Sequence, residues 1–314
     1  MDTFPITASS LARYYKIEPV NFTRCYKECL SGFPQWEQRI HADKWLLLEK
    51  NMGTDLSIDE TQIGDDVRTI LTNKDGHGRK GSMIAIVKGT NADDIVKVLL
   101  QLPEDKRNAV KEVTMDFSDS MYSIVQAAFP NATIVIDCFH IIQRCTDSIE
   151  ELRLNAKYVP ERLSNGDTVL DLLTRGKRLL AQSGDKWSTN QKARAALLFK
   201  LFPDLQKAYG LVQSLRSIFG TDKKKKDRHE ITREEASVKL DEWCQKVTDC
   251  KLREVKAARD CILDKREEVL NYFIHRSTNA SAESINAKMK GFRSEIHGIQ
   301  DLPFFLFRCT RIFG

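Results

Sequence analysis

Between residues 55 and 89 the apolar positions fall in short blocks bounded by turn-forming residues. DLSIDET (55–61), DDVRTILTN (65–73) and SMIAIVKG (82–89) are rich in Val, Ile and Thr, which predicts three strands. The period then changes. Ile95, Val98, Leu99 and Leu102 recur at helical spacing and predict a helix over 91–102, stopped by Pro103. KEVTMD (111–116) predicts a fourth strand, and Ser118 is placed to cap a helix running to Phe129. ATIVID (132–137) is a continuous apolar run and predicts a buried fifth strand, followed by a helix over 138–155. From there the pattern is helical: 167–181, 188–202, 204–219, 232–260 and 262–274, then 280–291 and 300–312. The run TDKKKKDRHEITREE (221–235) reads as an exposed loop, with Lys223 to Lys226 as a solvated stretch rather than a dedicated DNA clamp. Ahead of the strands, Ser10–Ile17 and Val20–Leu30 predict two short helices. They have the form of a helix-turn-helix remnant, and a packing appendage fits equally well.

The predicted order is β-β-β-α-β-α-β-α, a mixed sheet with helices on its faces, of α/β class. Four segments result: an N-terminal helical segment (1–50), a strand-bearing segment (51–155), an all-helical segment (156–275) and two closing helices (276–314). Composition changes the picture only a little. The 314 residues are 41% hydrophobic and 30% charged, enough for a sizeable core. Forty-nine Lys and Arg against 44 Asp and Glu leave a net charge of +5, which permits a nucleic-acid partner without demanding one. Eight cysteines at irregular spacing do not make a disulfide scaffold, so a reducing, cytoplasmic compartment is expected. The opening residues do not form a signal peptide, and LPFFLF (302–307) is far too short to span a membrane.

In sheets of this kind ligands gather at the carboxyl ends of strands. Asp59 lies in the first strand, Asp116 ends the fourth and Asp137 ends the fifth. Each alone is more often an N-cap or a solvated end than a catalyst. Together they are like charges that repel unless a cation neutralises them. In the helix 280–291, Glu283, Asn286 and Lys290 share one face, while Ile285, Met289 and Phe292 lie opposite. GHGRKG (76–81) matches Gly-x-Gly-x-x-Gly, but a strand follows it where a phosphate-binding loop needs a helix, so it reads as a hairpin loop.

Four ordered motifs carry a resemblance: LSIDE (56–60), VTMDFSDSM (113–121), FPNATIVIDCFH (129–140) and STNASAESINAKMKGFR (277–293). They resemble the first-Asp, second-Asp, Asp-x-Phe-His and final-Glu elements of bacterial insertion-sequence transposases of the ISL-three type. The similarity runs from about residue 41 onward. It implies a ribonuclease-H-like catalytic domain formed by 51–155 and 276–314 and interrupted by an all-helical insertion over 156–275. It implies DNA strand cleavage and strand transfer at the ends of an insertion sequence. Asp59, Asp116 and Glu283 would be the catalytic carboxylates and the ligands of two Mg²⁺ ions, with Mn²⁺ as a substitute. Asp137 and His140 would orient a ligand or hydrogen-bond near the scissile phosphate; a capping Asp and a partly buried His are the alternative. Asn286, Lys290 and Arg293, and Arg79 and Lys80 in the hairpin loop, would contact DNA. Trp187 is read as a base-stacking ring or, more simply, as core packing. The implied partners are double-stranded DNA and a second copy of the chain, in the bacterial nucleoid. Relatives carry an N-terminal zinc-finger-like or helix-turn-helix region. No Cys-x-x-Cys is present here, which leaves end recognition to residues 10–30 or to a separately encoded protein. The competing functions on the same fold are a structure-selective nuclease and a domesticated DNA-binding protein that has lost catalysis.

Overall fold

The structure, a computed structural model, describes residues 1, 4–156, 169–221 and 230–314. The expected lysine loop at Lys223 to Lys226 lies outside these residues, as does the start of the helix expected over 167–181.

The elements follow the periodicity closely. Helices α1 (Ala8–Tyr14) and α2 (Pro19–Cys25) precede strands β1 (Trp45–Leu47), β2 (Asp55–Ile63), β3 (Asp66–Asn73) and β4 (Met83–Lys88). Then come α3 (Ala92–Leu99), α4 (Glu104–Asn108), β5 (Glu112–Met115), α5 (Asp119–Ala128) and β6 (Thr133–Ile136). Helices α6 (Cys138–Asn155), α7 (Val169–Leu180), α8 (Thr189–Leu201), α9 (Pro203–Phe219), α10 (Arg233–Asp249), α11 (Arg253–Asp264) and α12 (Arg266–His275) follow. The chain closes with α13 (Ala280–Glu295) and α14 (Leu302–Phe313). It divides into two units: Met1–Val135 with Ser277–Gly314, and Ile136–Arg276. No helix among the described residues is long and apolar enough to cross a membrane.

The first unit is built on a six-stranded sheet of order β1-β4-β3-β2-β5-β6. β1, β4, β3 and β2 pair antiparallel in turn, and β2 pairs with β5 in parallel. Parallel pairing demands a crossover, here supplied by β3, β4, α3 and α4 between the two strands. β4 is buried from Met83 to Val87, as its unbroken apolar run requires of a strand covered on both faces. One face of the sheet, with Leu46, Ile63, Ile70, Met83 and Ile86, packs on Ile285, Met289 and Phe292 of α13 and Phe305, Leu306 and Cys309 of α14. The Phe292 and Phe305 rings stack with centroids 5.3 Å apart. The apolar stripe of α13 is thus fixed against the strands, which sets the direction of its other side.

The second unit is all helical among its described residues beyond Ile136. Trp243 of α10 is buried, with its indole N–H donating to the Leu211 carbonyl at 2.8 Å. Arg153 of α6 is also buried, donating to the Leu173 carbonyl and to both oxygens of Glu150.

Four local departures from the sequence reading have physical causes. Trp45–Leu47, inside the segment expected to be helical, joins the sheet edge, because its pairing with Val87 to Ala85 is a distant contact that local periodicity does not encode. The helix expected over 232–260 breaks at Cys250 to Leu252, where Lys251 takes a left-handed φ of +59° with no Gly or Pro to announce it. α13 continues through Gly291 to Glu295, since a single helical glycine costs only about 1 kcal/mol. The second N-terminal helix ends at Cys25, and Tyr26–Leu30 form a π-helical turn.

Candidate active site

Asp59 sits in β2 opposite Ile70 of β3, and the parallel pairing of β2 with β5 extends to Ser57 opposite Thr114. Asp59 and Asp116 each lie two residues further on, so the register brings both carboxylates to the same level of adjacent strands. Side chains alternate across a strand, so Asp59 shares the face of Ser57 and Ile63, the face covered by α13. Both aspartates are partly buried.

The helix meets them with two amides. Asn286 donates from Nδ2 to Oδ2 of Asp59 at 2.6 Å, while Oδ1 of Asp59 accepts the Glu60 backbone N–H at 2.7 Å. Asn279 donates from Nδ2 to Oδ1 of Asp116 at 2.6 Å and accepts from the Ser57 hydroxyl at 2.7 Å. Asn279 is 0% exposed and Asn286 6%. Glu283, between them on α13, is exposed. Asn286 is therefore buried against Asp59, and its Oδ1 has no hydrogen-bond partner among the described residues. Lys290 and Arg293 are exposed on the same helix.

The surroundings are acidic. Partial burial, and then the charge of Asp116, push the Glu60 carboxyl above its ordinary value. Beneath the strands, Lys74 pairs with Glu112 at 2.7 Å and donates to the Thr114 hydroxyl at 2.8 Å, which neutralises a largely buried carboxylate.

The loop between β3 and β4 closes on the helix. Lys288 donates to the Gly78 carbonyl, and Gly78 lies directly against Ser284 with φ at +68°. Arg79 and Lys80 follow Gly78 and are exposed.

Asp137 and His140 belong to the second unit. Asp137 is 1% exposed and caps α6 by accepting the Phe139 N–H at 2.9 Å; His140 is partly buried in the first turn. Trp187 stacks on Tyr209 at 5.1 Å, lies 6.3 Å from Phe199, and donates its indole N–H to the Leu179 carbonyl.

Three carboxylates, all oxygen donors, fit a hard divalent cation in kind. Two of them are turned toward the helix that bears the third. Among the described residues no group of three or more His, Cys, Asp or Glu side chains is drawn close enough to hold a metal ion. Ser57 and Asn279 were not singled out as site residues by the sequence reading. Asn279 lies inside the final-Glu motif, ahead of a helix, where an asparagine reads as an N-cap. Its side chain makes no capping hydrogen bond.

Two aspartates level on adjacent strands, each bound by an amide of the α13 segment that also carries Glu283, mark the candidate site of this mixed α/β unit. The family comparison gives the class a name: a transposase model, DDE_Tnp_ISL3, matches residues 56–309, and the chain belongs to this ISL3 transposase family. No match is found among curated proteins or among solved structures.

Proposed function

We propose that the chain catalyses metal-dependent cleavage and strand transfer of DNA at the ends of an insertion sequence, on a ribonuclease-H-like domain interrupted by the helical unit. The observation that carries this reading is the pair Asp59 and Asp116, level on parallel strands and each bound to the helix that bears Glu283. The strand order, with β2 central and β5 parallel beside it, supports the same reading.

On this reading Asp59, Asp116 and Glu283 hold Mg²⁺, or Mn²⁺ in its place. When bound, the metal supplies Lewis-acid activation of the attacking oxygen and neutralises charge on the phosphate. The chain's own cations position the DNA. Lys290 and Arg293 on α13, with Arg79 and Lys80 on the hairpin loop, contact phosphate oxygens beside the carboxylates. Water attacks the phosphodiester at the element's end and releases a 3′ hydroxyl, leaving a 5′ phosphate on the other side of the cut; that hydroxyl attacks a target phosphodiester and displaces a target 3′ hydroxyl, so no covalent protein intermediate is needed. Two ends must be joined to one target, which calls for a second copy of the chain. A separately encoded DNA-binding protein is proposed to assist end recognition.

The test is cleavage and strand transfer on DNA carrying the element's own ends, comparing the wild type with Asp116→Asn. Metal-dependent joining that the variant loses supports the proposal. Cleavage without joining makes the protein a nuclease. DNA binding without either reaction makes it a domesticated binding protein.

A further inference from the structure

We infer that Asn279 and Asn286 are positioning residues that fix the carboxylates of Asp116 and Asp59. The inference rests on the proposed reading of those aspartates as catalytic. The two asparagines are seven residues apart, close to two helical turns, so they lie along one face of α13 with Glu283 between them. A carboxylate only accepts hydrogen bonds, so each amide must turn its NH₂ toward the aspartate, and its orientation is decided by chemistry. Both contacts are 2.6 Å. Both amides are buried.

The position of Asn279 is the stronger argument. It occupies the N-cap of a sixteen-residue helix, where its side chain would ordinarily accept a backbone N–H, yet it makes no capping bond. Its oxygen instead accepts from the buried Ser57 hydroxyl, and its nitrogen donates to Asp116 and to the Ile58 carbonyl. Ser57, Asn279 and Asp116 form a chain that ties β2, α13 and the end of β5 at one point. A helix cap chosen for stability alone would not be turned away from the helix. Asn286 repeats the arrangement for Asp59, so one rigid helix orients two carboxylates from different strands. Outer partners of this kind fix the direction of ligand lone pairs.

The test uses the full chain. Asn286→Ala, Asn279→Ala and Asn279→Ser are compared with the wild type and with Asp59→Asn and Asp116→Asn. The readouts are Mn²⁺ binding without DNA, followed by the free-ion electron paramagnetic resonance signal, the Mg²⁺ dependence of cleavage, end-DNA affinity and the thermal midpoint. Asn279→Ser separates positioning from helix stability, because serine can supply a capping oxygen that Asn279 does not and is too short to hold Asp116. The expected result is a loss of about 10- to 100-fold in Mn²⁺ affinity for the asparagine variants. The Mg²⁺ half-saturation rises accordingly and cleavage recovers at high metal. End-DNA affinity is unchanged, and the thermal midpoint of Asn279→Ser is kept. Wild-type Mn²⁺ affinity in the asparagine variants overturns the inference, as does activity lost equally at every metal concentration. If Asp59→Asn and Asp116→Asn also leave cleavage intact, the catalytic reading beneath it falls too.

Discussion

Gly78 and Ser284 approach so closely that a β-carbon at position 78 would lie 2.4 Å from the serine hydroxyl. Gly78 also holds φ at +68°, a conformation that only glycine adopts at low cost. The hairpin loop can lie on α13 only because this residue lacks a side chain. Gly78→Ala is expected to destabilise the unit by about 1–3 kcal/mol, read from the denaturant midpoint. If the loop merely hangs in solvent, only the left-handed backbone cost of about 1–2 kcal/mol appears, and adding Ser284→Gly recovers none of it.

Arg79 and Lys80 should then act as phosphate contacts and carry no sequence information. Replacing either with alanine is expected to weaken binding to all DNA sequences alike. It should also reduce the slope of log affinity against log salt by about 1 per contact removed. Binding titrations between 50 and 200 mM salt measure this, and an unchanged slope removes the residue from the interface.

Burial divides the cysteines by reactivity. Cys145 is fully buried, which pushes its thiol up to about 12; Cys309 is raised for the same reason, desolvation of the thiolate. Cys25 and Cys29 are exposed. Maleimide labelling of the native protein should modify Cys25 and Cys29 within minutes and spare Cys145 and Cys309 until denaturant is added. Peptide mass spectrometry decides it, and early modification of Cys145 would show that the helical unit opens readily.

Glu150 offers a pH-dependent probe of the second unit. The hydrogen bonds from Arg153 hold its carboxyl below the ordinary value of 4.5. A carboxyl whose folded value is depressed contributes stability above its unfolded value and loses it as pH falls through the folded one. Glu150→Gln should therefore lower the thermal midpoint at pH 7, and the gap from the wild type should close as pH falls below about 4.5. A gap that persists at pH 3 would mean that packing, not charge, makes the difference.

Much of this site is legible in the sequence, for a local reason. Asp59 falls within, and Asp116 just past, strands that short apolar blocks delimit, and the two faces of α13 follow from the spacing of Ile285, Met289 and Phe292. The roles of Ser57 and Asn279 are not legible. Each looks ordinary in its own element, a strand serine and a helix cap, and they meet across 222 residues of sequence. The helical wheel places Asn286 on one face with Glu283 and Lys290, and the resemblance assigns it to DNA. The wheel does not tell which part of that face the sheet covers. β1 escapes for the same reason, since three residues acquire a strand's identity only from the neighbour they pair with.

The tie between α13 and the two aspartates has a temporal side. Asn279 follows Asp116 by 163 residues, and Asn286 follows Asp59 by 227. At translation rates of about 5–20 residues per second, the two aspartates leave the ribosome roughly 8–45 seconds before the amides that bind them. A nascent chain therefore carries both aspartates for that interval without either amide. Its sheet must wait for the latest part of the chain before the carboxylates are held, so a ribosome that stalls within the helical unit releases a protein whose aspartates have never been set.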